Sequence, residues 1–291
     1  MTVGIAFGGG GLRGAAHIGI LQELLDNNIA PGLIAGTSAG SIVGSFFAVG
    51  IRPKQMINLL SILPRLGIKD LEKALEPPQA SVQAVGWLPS LPMGIINSKY
   101  LETIFSKILG NKKFDQLLIP LAIVAADLYN GETVIYCSKK QRLQLPANSN
   151  FAVETDAYVH EAVTASCAIP GIFTPKTIGK RTLVDGGLVD NVPADVVRAM
   201  GADVVIGVDL GFGVYQGTPF KHVVDVLLQT YDIMGQRIVD IVTRQYADLT
   251  IKPTTGSAAL YDFQKIPKLI EAGKKEARKM MPEINKVIKK N

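Results

Sequence analysis

The sequence predicts an α/β fold of three layers, with helices on both faces of a largely parallel central sheet. Three observations carry that prediction. Apolar runs of strand length alternate with helical patterns along most of the chain, the sequence signature of strands joined by helical crossovers. Two of the strand-to-helix passages run through glycine-rich turns, Gly8-Gly9-Gly10-Gly11-Leu12-Arg13-Gly14 and Gly36-Thr37-Ser38-Ala39-Gly40. Hydrophobic residues make up 47% of the chain and charged residues 19%, which suits strands buried on both faces or a protein that touches lipid. The 291 residues are ample for one sizeable core, and with no internal repeat or linker the whole of 1–291 reads as a single domain.

In chain order, residues 2–7 form a first strand, followed by the first glycine turn and a helix over 15–27. The apolar run 32–35 leads into the second turn and a helical pattern over 41–49. Helices follow at 53–63 and 69–75. Residues 77–97 hold four prolines and the single tryptophan, Trp87, among Leu88, Leu91, Met93, Ile95 and Ile96. Such a stretch is either an apolar flap beside the site or a packed surface connection. Ser98 is the expected N-cap of a helix to 109. A buried strand over 119–127 turns at Asn130-Gly131 into a second strand over 133–137, by the turn chemistry of that dipeptide. A short helix over 159–165 stops before Pro170. A strand over 182–184 delivers Asp185-Gly186-Gly187 into a loop, and a helix over 194–200 precedes a strand over 203–209. A long helix over 223–246, a strand over 249–252 and a basic helix over 262–290 complete the chain.

Charge and cysteine usage narrow the function. The net charge of +5 gathers at the C-terminal end, where 265–291 holds nine Lys or Arg against three Glu. That helix presents either a solvated face or one that leans on anionic headgroups. No base-stacking aromatics accompany the charges, so nucleic acid is not an expected partner. Cys137 and Cys167 are too few for a disulfide framework and lack metal spacing, and both read as buried small residues. No run reaches about 18 apolar residues free of charge. The opening residues carry no basic, cleavable apolar leader, so the expected location is the cytoplasm, peripheral to the inner face of the membrane.

The chemistry centres on Ser38. A strand that turns directly into a helix holds the turn side chain out over helix amides, and small flanking residues such as Gly36 and Gly40 permit the bend. The earlier turn is ambiguous. Gly9, Gly11 and Gly14 match the G-x-G-x-x-G dinucleotide fingerprint, yet consecutive glycines also expose N–H groups suited to an oxyanion. Residues 29–36 offer no acidic side chain for a ribose hydroxyl, which favours the oxyanion reading. A nucleophilic serine needs a base. His222 is the one histidine placed after a plausible acid, Asp185 or Asp209, as a triad would require, but no turn presents it. His17 reads as a packed residue behind the glycine turn. Asp185, on a bare Gly-Gly loop, can approach another group closely and take a proton if partly desolvated.

Taken together, the three glycine motifs resemble those of the patatin-like phospholipase family. Three further segments agree: Ala15-Ala16-His17-Ile18-Gly19, Ala126-Asp127-Leu128 before the Asn130-Gly131-Glu132 turn, and Ala165-Ser166-Cys167-Ala168-Ile169-Pro170-Gly171. The likeness runs from Val3 to about Asp209, and the small single-domain bacterial members are the most similar. It implies the patatin-like three-layer fold and hydrolysis of lipid acyl esters by a Ser-Asp dyad without histidine, metal or organic cofactor. By position, Ser38 is the nucleophile and Asp185 the base. Gly9, Gly10 and Gly11 are the oxyanion donors, and Arg13, Gly36, Gly40, Gly186 and Gly187 support the site. A thioesterase or acyltransferase with the same dyad, or a lipid-binding regulatory protein, is the alternative.

Overall fold

The computed structural model describes residues 1–62, 93–146, 149–211, 223–256, 258 and 262–290. The strands are β1 (Val3–Phe7), β2 (Leu33–Thr37), β3 (Gly94–Ile96), β4 (Leu121–Asp127), β5 (Thr133–Tyr136), β6 (Phe151–Glu154), β7 (Gly171–Phe173), β8 (Lys176–Ile178), β9 (Arg181–Asp185), β10 (Val204–Val208) and β11 (Leu249–Ile251). The helices are α1 (Ala15–Asp26), α2 (Ala39–Ala48), α3 (Pro53–Ile62), α4 (Ser98–Leu109), α5 (Val159–Ser166), α6 (Ala194–Ala199), α7 (Val223–Tyr246) and α8 (Ile266–Lys290).

The main sheet runs in the order β11-β10-β1-β2-β4-β5-β6. From β11 to β4 every pairing is parallel. The expected three-layer arrangement is present, because residue alternation along each strand feeds two separate cores. Ile5, Phe7, Ile34, Ile123 and Ile206 face one side and pack with α1, α2 and α8. Ala6, Ala35, Ala122, Val124 and Val205 face the other side and pack with α6 and α7. The second layer rests on alanines, so α6 and α7 lie close to the sheet.

The sheet is largely parallel, as expected, with β5 and β9 running antiparallel to β4. Other expectations need correction. The short strands β6, β7 and β8 carry too few alternating residues to stand out by periodicity and form only because a partner strand is there to pair with. Residues 93–97 do not belong to an irregular stretch, since Gly94–Ile96 pairs with Gly171–Phe173 in a separate two-stranded sheet. The rest of the expected flap, including Trp87, and the helix expected over 69–75 lie outside the described residues, as does His222. Asn97, not Ser98, caps α4, its side chain accepting the Lys99 N–H at 2.9 Å. The C-terminal helix is not merely a solvated face. Leu269, Ile270, Ala277 and Ile284 are buried, and Gly273 lets α8 cross against the backbone of Ala16 in α1. Cys137 and Cys167 are both buried, as expected. Among the described residues no helix is long and apolar enough to cross a membrane.

Candidate active site

The sheet register explains how residues far apart in sequence meet. One edge of β4 serves two strands in succession: Leu121 to Val124 pair with β2 as far as Thr37, and the next residue, Ala125, pairs with Asp185 of β9. Because β2 is parallel and β9 antiparallel to β4, their C-terminal ends point at each other. Ser38 follows Thr37 directly, so the junction sets Ser38 beside Asp185.

Ser38 occupies a strained backbone well, φ 50° and ψ −122°, between β2 and α2. Its neighbours permit the bend. A methyl group on Gly36 would lie 2.6 Å from the carbonyl carbon of Gly40, and one on Gly40 would strike the Phe7 carbonyl. Three hydrogen bonds fix the elbow from below. The Ser38 N–H donates to Ser166 Oγ at 2.8 Å, and the Ser166 hydroxyl donates in turn to the Val124 carbonyl at 2.6 Å. The Thr37 hydroxyl donates to the Asp190 carbonyl at 2.8 Å. The Ser38 side chain remains, and it lines the same pocket as the buried Asp185.

Asp185 is buried. Its Oδ1 accepts the Gly187 N–H at 2.9 Å and lies 3.5 Å from the Tyr231 hydroxyl of α7. Burial pushes its pKa up to about 6, with the Gly187, Ser38 and Tyr231 donors working in the opposite direction. The two glycines after it have separate reasons to be there. A side chain on Gly186 would enter the Val124 carbonyl, and one on Gly187 would collide with the Tyr231 hydroxyl. The buried Cys167 thiol nearby is pushed up, by burial first and by the Asp185 charge second, and stays neutral. Asp209, the other acid that sequence offered, is tied to Gly211 N–H at 2.8 Å and to Lys252 Nζ at 2.9 Å.

The glycine turn lines the same pocket, and here one expectation changes. The Gly9 N–H is already engaged, donating to the Asn191 carbonyl at 3.1 Å and to Asn191 Oδ1 at 3.0 Å. Among the described residues no protein acceptor takes the N–H of Gly10 or Gly11. Gly10 has φ 155° and Gly11 φ 54°, conformations that a side chain would strain. The turn then tightens into a 3-10 stretch, Gly11–Gly14, ahead of α1. Arg13 is buried, and its guanidinium donates to the carbonyls of Gly211 at 2.6 Å and Leu210 at 3.4 Å, so it buttresses the turn against the loop after β10. His17 Nε2 lies 2.7 Å from the Gly8 carbonyl, and burial lowers the ring's pKa to about 4. The ring is therefore neutral, with its proton on Nε2, and props the start of the turn.

Sequence reasoning did not single out Ser166, Asn191 or Tyr231. Ser166 sits within a segment it quoted and Asn191 in the loop after Asp185-Gly186-Gly187, and their contacts are to backbone groups distant in the chain. Tyr231 lies on a helix whose placement only packing decides. Asp190 was also missed. It is buried, faces Asp195, and its pKa is pushed well above the carboxylate range by burial first and by that neighbouring charge second. The pocket itself measures about 100 Å³, with Gly10, Gly11, Ser38, Asp185, Ile172 and Tyr231 in its lining.

A serine on a strained strand-to-helix elbow, beside a buried carboxylate in a three-layer α/β fold, is a geometry that α/β hydrolases also build at a strand-to-helix turn. The family follows from sequence comparison. Residues 5–198 match the family model described as patatin-like phospholipase, and the chain belongs to that family. An uncharacterised NTE family protein of Mycobacterium tuberculosis is 33% identical over 208 residues, covering 72% of this chain and 49% of its own. The human patatin-like phospholipase domain-containing protein 6 is 29% identical over 217 residues, covering 72% of this chain and 13% of its own. This chain thus spans about half the length of the mycobacterial relative. Among solved structures, VipD from Legionella pneumophila aligns over 97% of this chain and 67% of its own with a TM-score of 0.52 at 16% identity, a likeness of fold.

Proposed function

We propose that the chain is a serine acyl-ester hydrolase acting on lipids, of phospholipase A or lysophospholipase type. The observation that carries this reading is the head-on meeting of β2 and β9 along one edge of β4, which sets Ser38 beside a carboxylate of raised pKa. In the proposed reaction Ser38 Oγ attacks the ester carbonyl while its proton passes to Asp185. The carbonyl oxygen becomes an oxyanion and is held by the amides of Gly10 and Gly11. Collapse of the tetrahedral adduct expels the alcohol, which takes the proton from Asp185 and leaves an acyl-serine. Water then attacks the acyl carbonyl, gives a proton to Asp185, and the second collapse returns that proton to Ser38 and frees the fatty acid.

A pocket of about 100 Å³ is small against a whole lipid and suits the ester group with the adjoining part of an acyl chain. The remainder of a lipid substrate would extend beyond it. The test is a lipid-panel hydrolysis assay with a fluorophosphonate probe. Release of fatty acid from phospholipid or lysophospholipid, with labelling confined to Ser38, supports the reading. Faster turnover of acyl-CoA than of any phospholipid would make the chain a thioesterase or acyltransferase, and a labelled serine elsewhere would remove Ser38 from its role. A chain that binds lipid without hydrolysing even a short-chain aryl ester would be a regulatory protein.

A further inference from the structure

The helix that walls the pocket is apolar on its wrong side. Amphipathic helices of soluble proteins normally turn apolar residues inward and polar ones outward. In α7 the inward face carries Tyr231, Asp232 and Gln236 into the pocket, and Val239 and Thr243 into the core beneath. The outward face carries Val226, Leu227, Ile233, Met234 and Ile241, all exposed, with Met234 at 69% and Leu227 at 61%. At roughly 100° per residue these five fall on one stripe. Arg237 and Arg244 lie in the same stripe, both exposed, and neither has an acidic partner among the described residues. The nearest acid along the stripe, Asp240, is paired with Lys252 at 3.5 Å. The turn Gly186–Leu188 packs against α7, and Leu188 at its end is exposed too.

We propose that this outward face of α7 docks on an anionic lipid bilayer, which brings the mouth of the Ser38 pocket to its substrate. The inference rests on the lipid-hydrolase reading above and adds the surface by which the substrate is met. Apolar side chains along a stripe with arginines between them fit the boundary between acyl chains and negative headgroups, where each group finds its preferred medium. The docking face and the pocket wall are opposite sides of one helix, about 10 Å apart.

The test uses the full chain as Ser38→Ala, so that vesicles are not consumed, in cosedimentation with vesicles of phosphatidylcholine alone or mixed with phosphatidylglycerol. Binding to the mixed vesicles is expected, weakened about tenfold or more by Ile233→Glu with Met234→Glu and restored by neither salt nor temperature. Arg237→Glu with Arg244→Glu should weaken binding to mixed vesicles and leave the weaker binding to neutral ones unchanged. With Ser38 restored, both double variants should turn over a soluble short-chain aryl ester as the parent does, which shows them folded. The proposal fails if the parent does not bind mixed vesicles, or if the apolar double variant binds them equally. It also fails if that variant converts a dimer to a monomer in solution, because a second copy of the chain would then be the occupant. Vesicle binding without any ester turnover would sink the hydrolase reading and leave the docking face standing. Turnover without vesicle binding would do the reverse.

Discussion

Two neighbouring turns of this molecule share one grammar and present opposite chemistry. β1 and β2 lie side by side in parallel, and each passes through a glycine-containing turn into a helix on the same face of the sheet. After β2 the turn is a single residue. Its amide is fixed by Ser166, and what it offers the pocket is a hydroxyl. After β1 the turn is longer and built from consecutive glycines. Its glycines offer no side chain, only the N–H groups of Gly10 and Gly11, while Gly9 is tied to Asn191. The two turns differ in what their hydrogen bonding leaves for the pocket: a side-chain hydroxyl after β2, backbone N–H groups after β1.

The largest test removes the hydroxyl. Ser38→Ala should lose fluorophosphonate labelling and reduce ester turnover by about a thousandfold or more, with the fold retained. Asp185→Asn should reduce turnover almost as far, while His222→Ala keeps near-full activity. Equal loss in the histidine variant would replace the dyad by a triad.

Asp185 also predicts a pH profile. With its pKa moved from 3.8 to about 6, kcat/KM on a neutral ester should climb as pH rises through about 6. The native carboxyl holds its proton more tightly than the unfolded one does. Its contribution therefore favours the fold at low pH and fades as pH rises from about 4 to about 6. Asp185→Asn escapes that loss, and at pH 8 it should be more stable than the parent by up to about 3 kcal/mol, less whatever the Gly187 and Ser38 hydrogen bonds contribute. A variant less stable than the parent at pH 8 would contradict the burial argument.

On the other turn, Gly10→Ala places a side chain at φ 155° and against Leu210. Turnover should fall by about a hundredfold with a much smaller change in KM, as expected for donors that act on the transition state. A change in KM alone would mean the amides bind the ground state. The dinucleotide reading predicts instead a measurable affinity for NAD at micromolar concentration, which the oxyanion reading does not.

The smallest effect probes the support under the elbow. Ser166→Ala leaves the buried Ser38 N–H without its acceptor, at a cost of about 1–3 kcal/mol. In thermal unfolding the midpoint should drop by several degrees, with turnover reduced less than in any of the variants above. An unchanged midpoint would mean the elbow is held by its strand and helix alone.

Much of this was legible in the sequence because it depends on local rules. The period of apolar residues marks β1, β2, β4 and β10 and the helices between them, and the bounds 223–246 of α7 match its sequence pattern. The Asn130-Gly131 turn follows from a backbone preference, with Gly131 at φ 70°. Ser38 could be picked out for the same reason, since only a residue flanked by small neighbours can sit on so tight a bend. Pairing partners were not legible. Nothing near Asp185 indicates that β9 runs antiparallel along the edge of β4 that β2 has just vacated, yet that register brings the carboxylate to the serine. Hydrogen bonds between distant segments were equally hidden. Gly9 looked like an open amide until Asn191, 182 positions away, was found to hold it. The sequence by itself determined which turns could carry the chemistry, because steric limits on the backbone act between neighbours in the chain. Only the tertiary structure decided which amides and carboxyls remain available, because burial and hydrogen bonding are set by residues that the sequence keeps far apart.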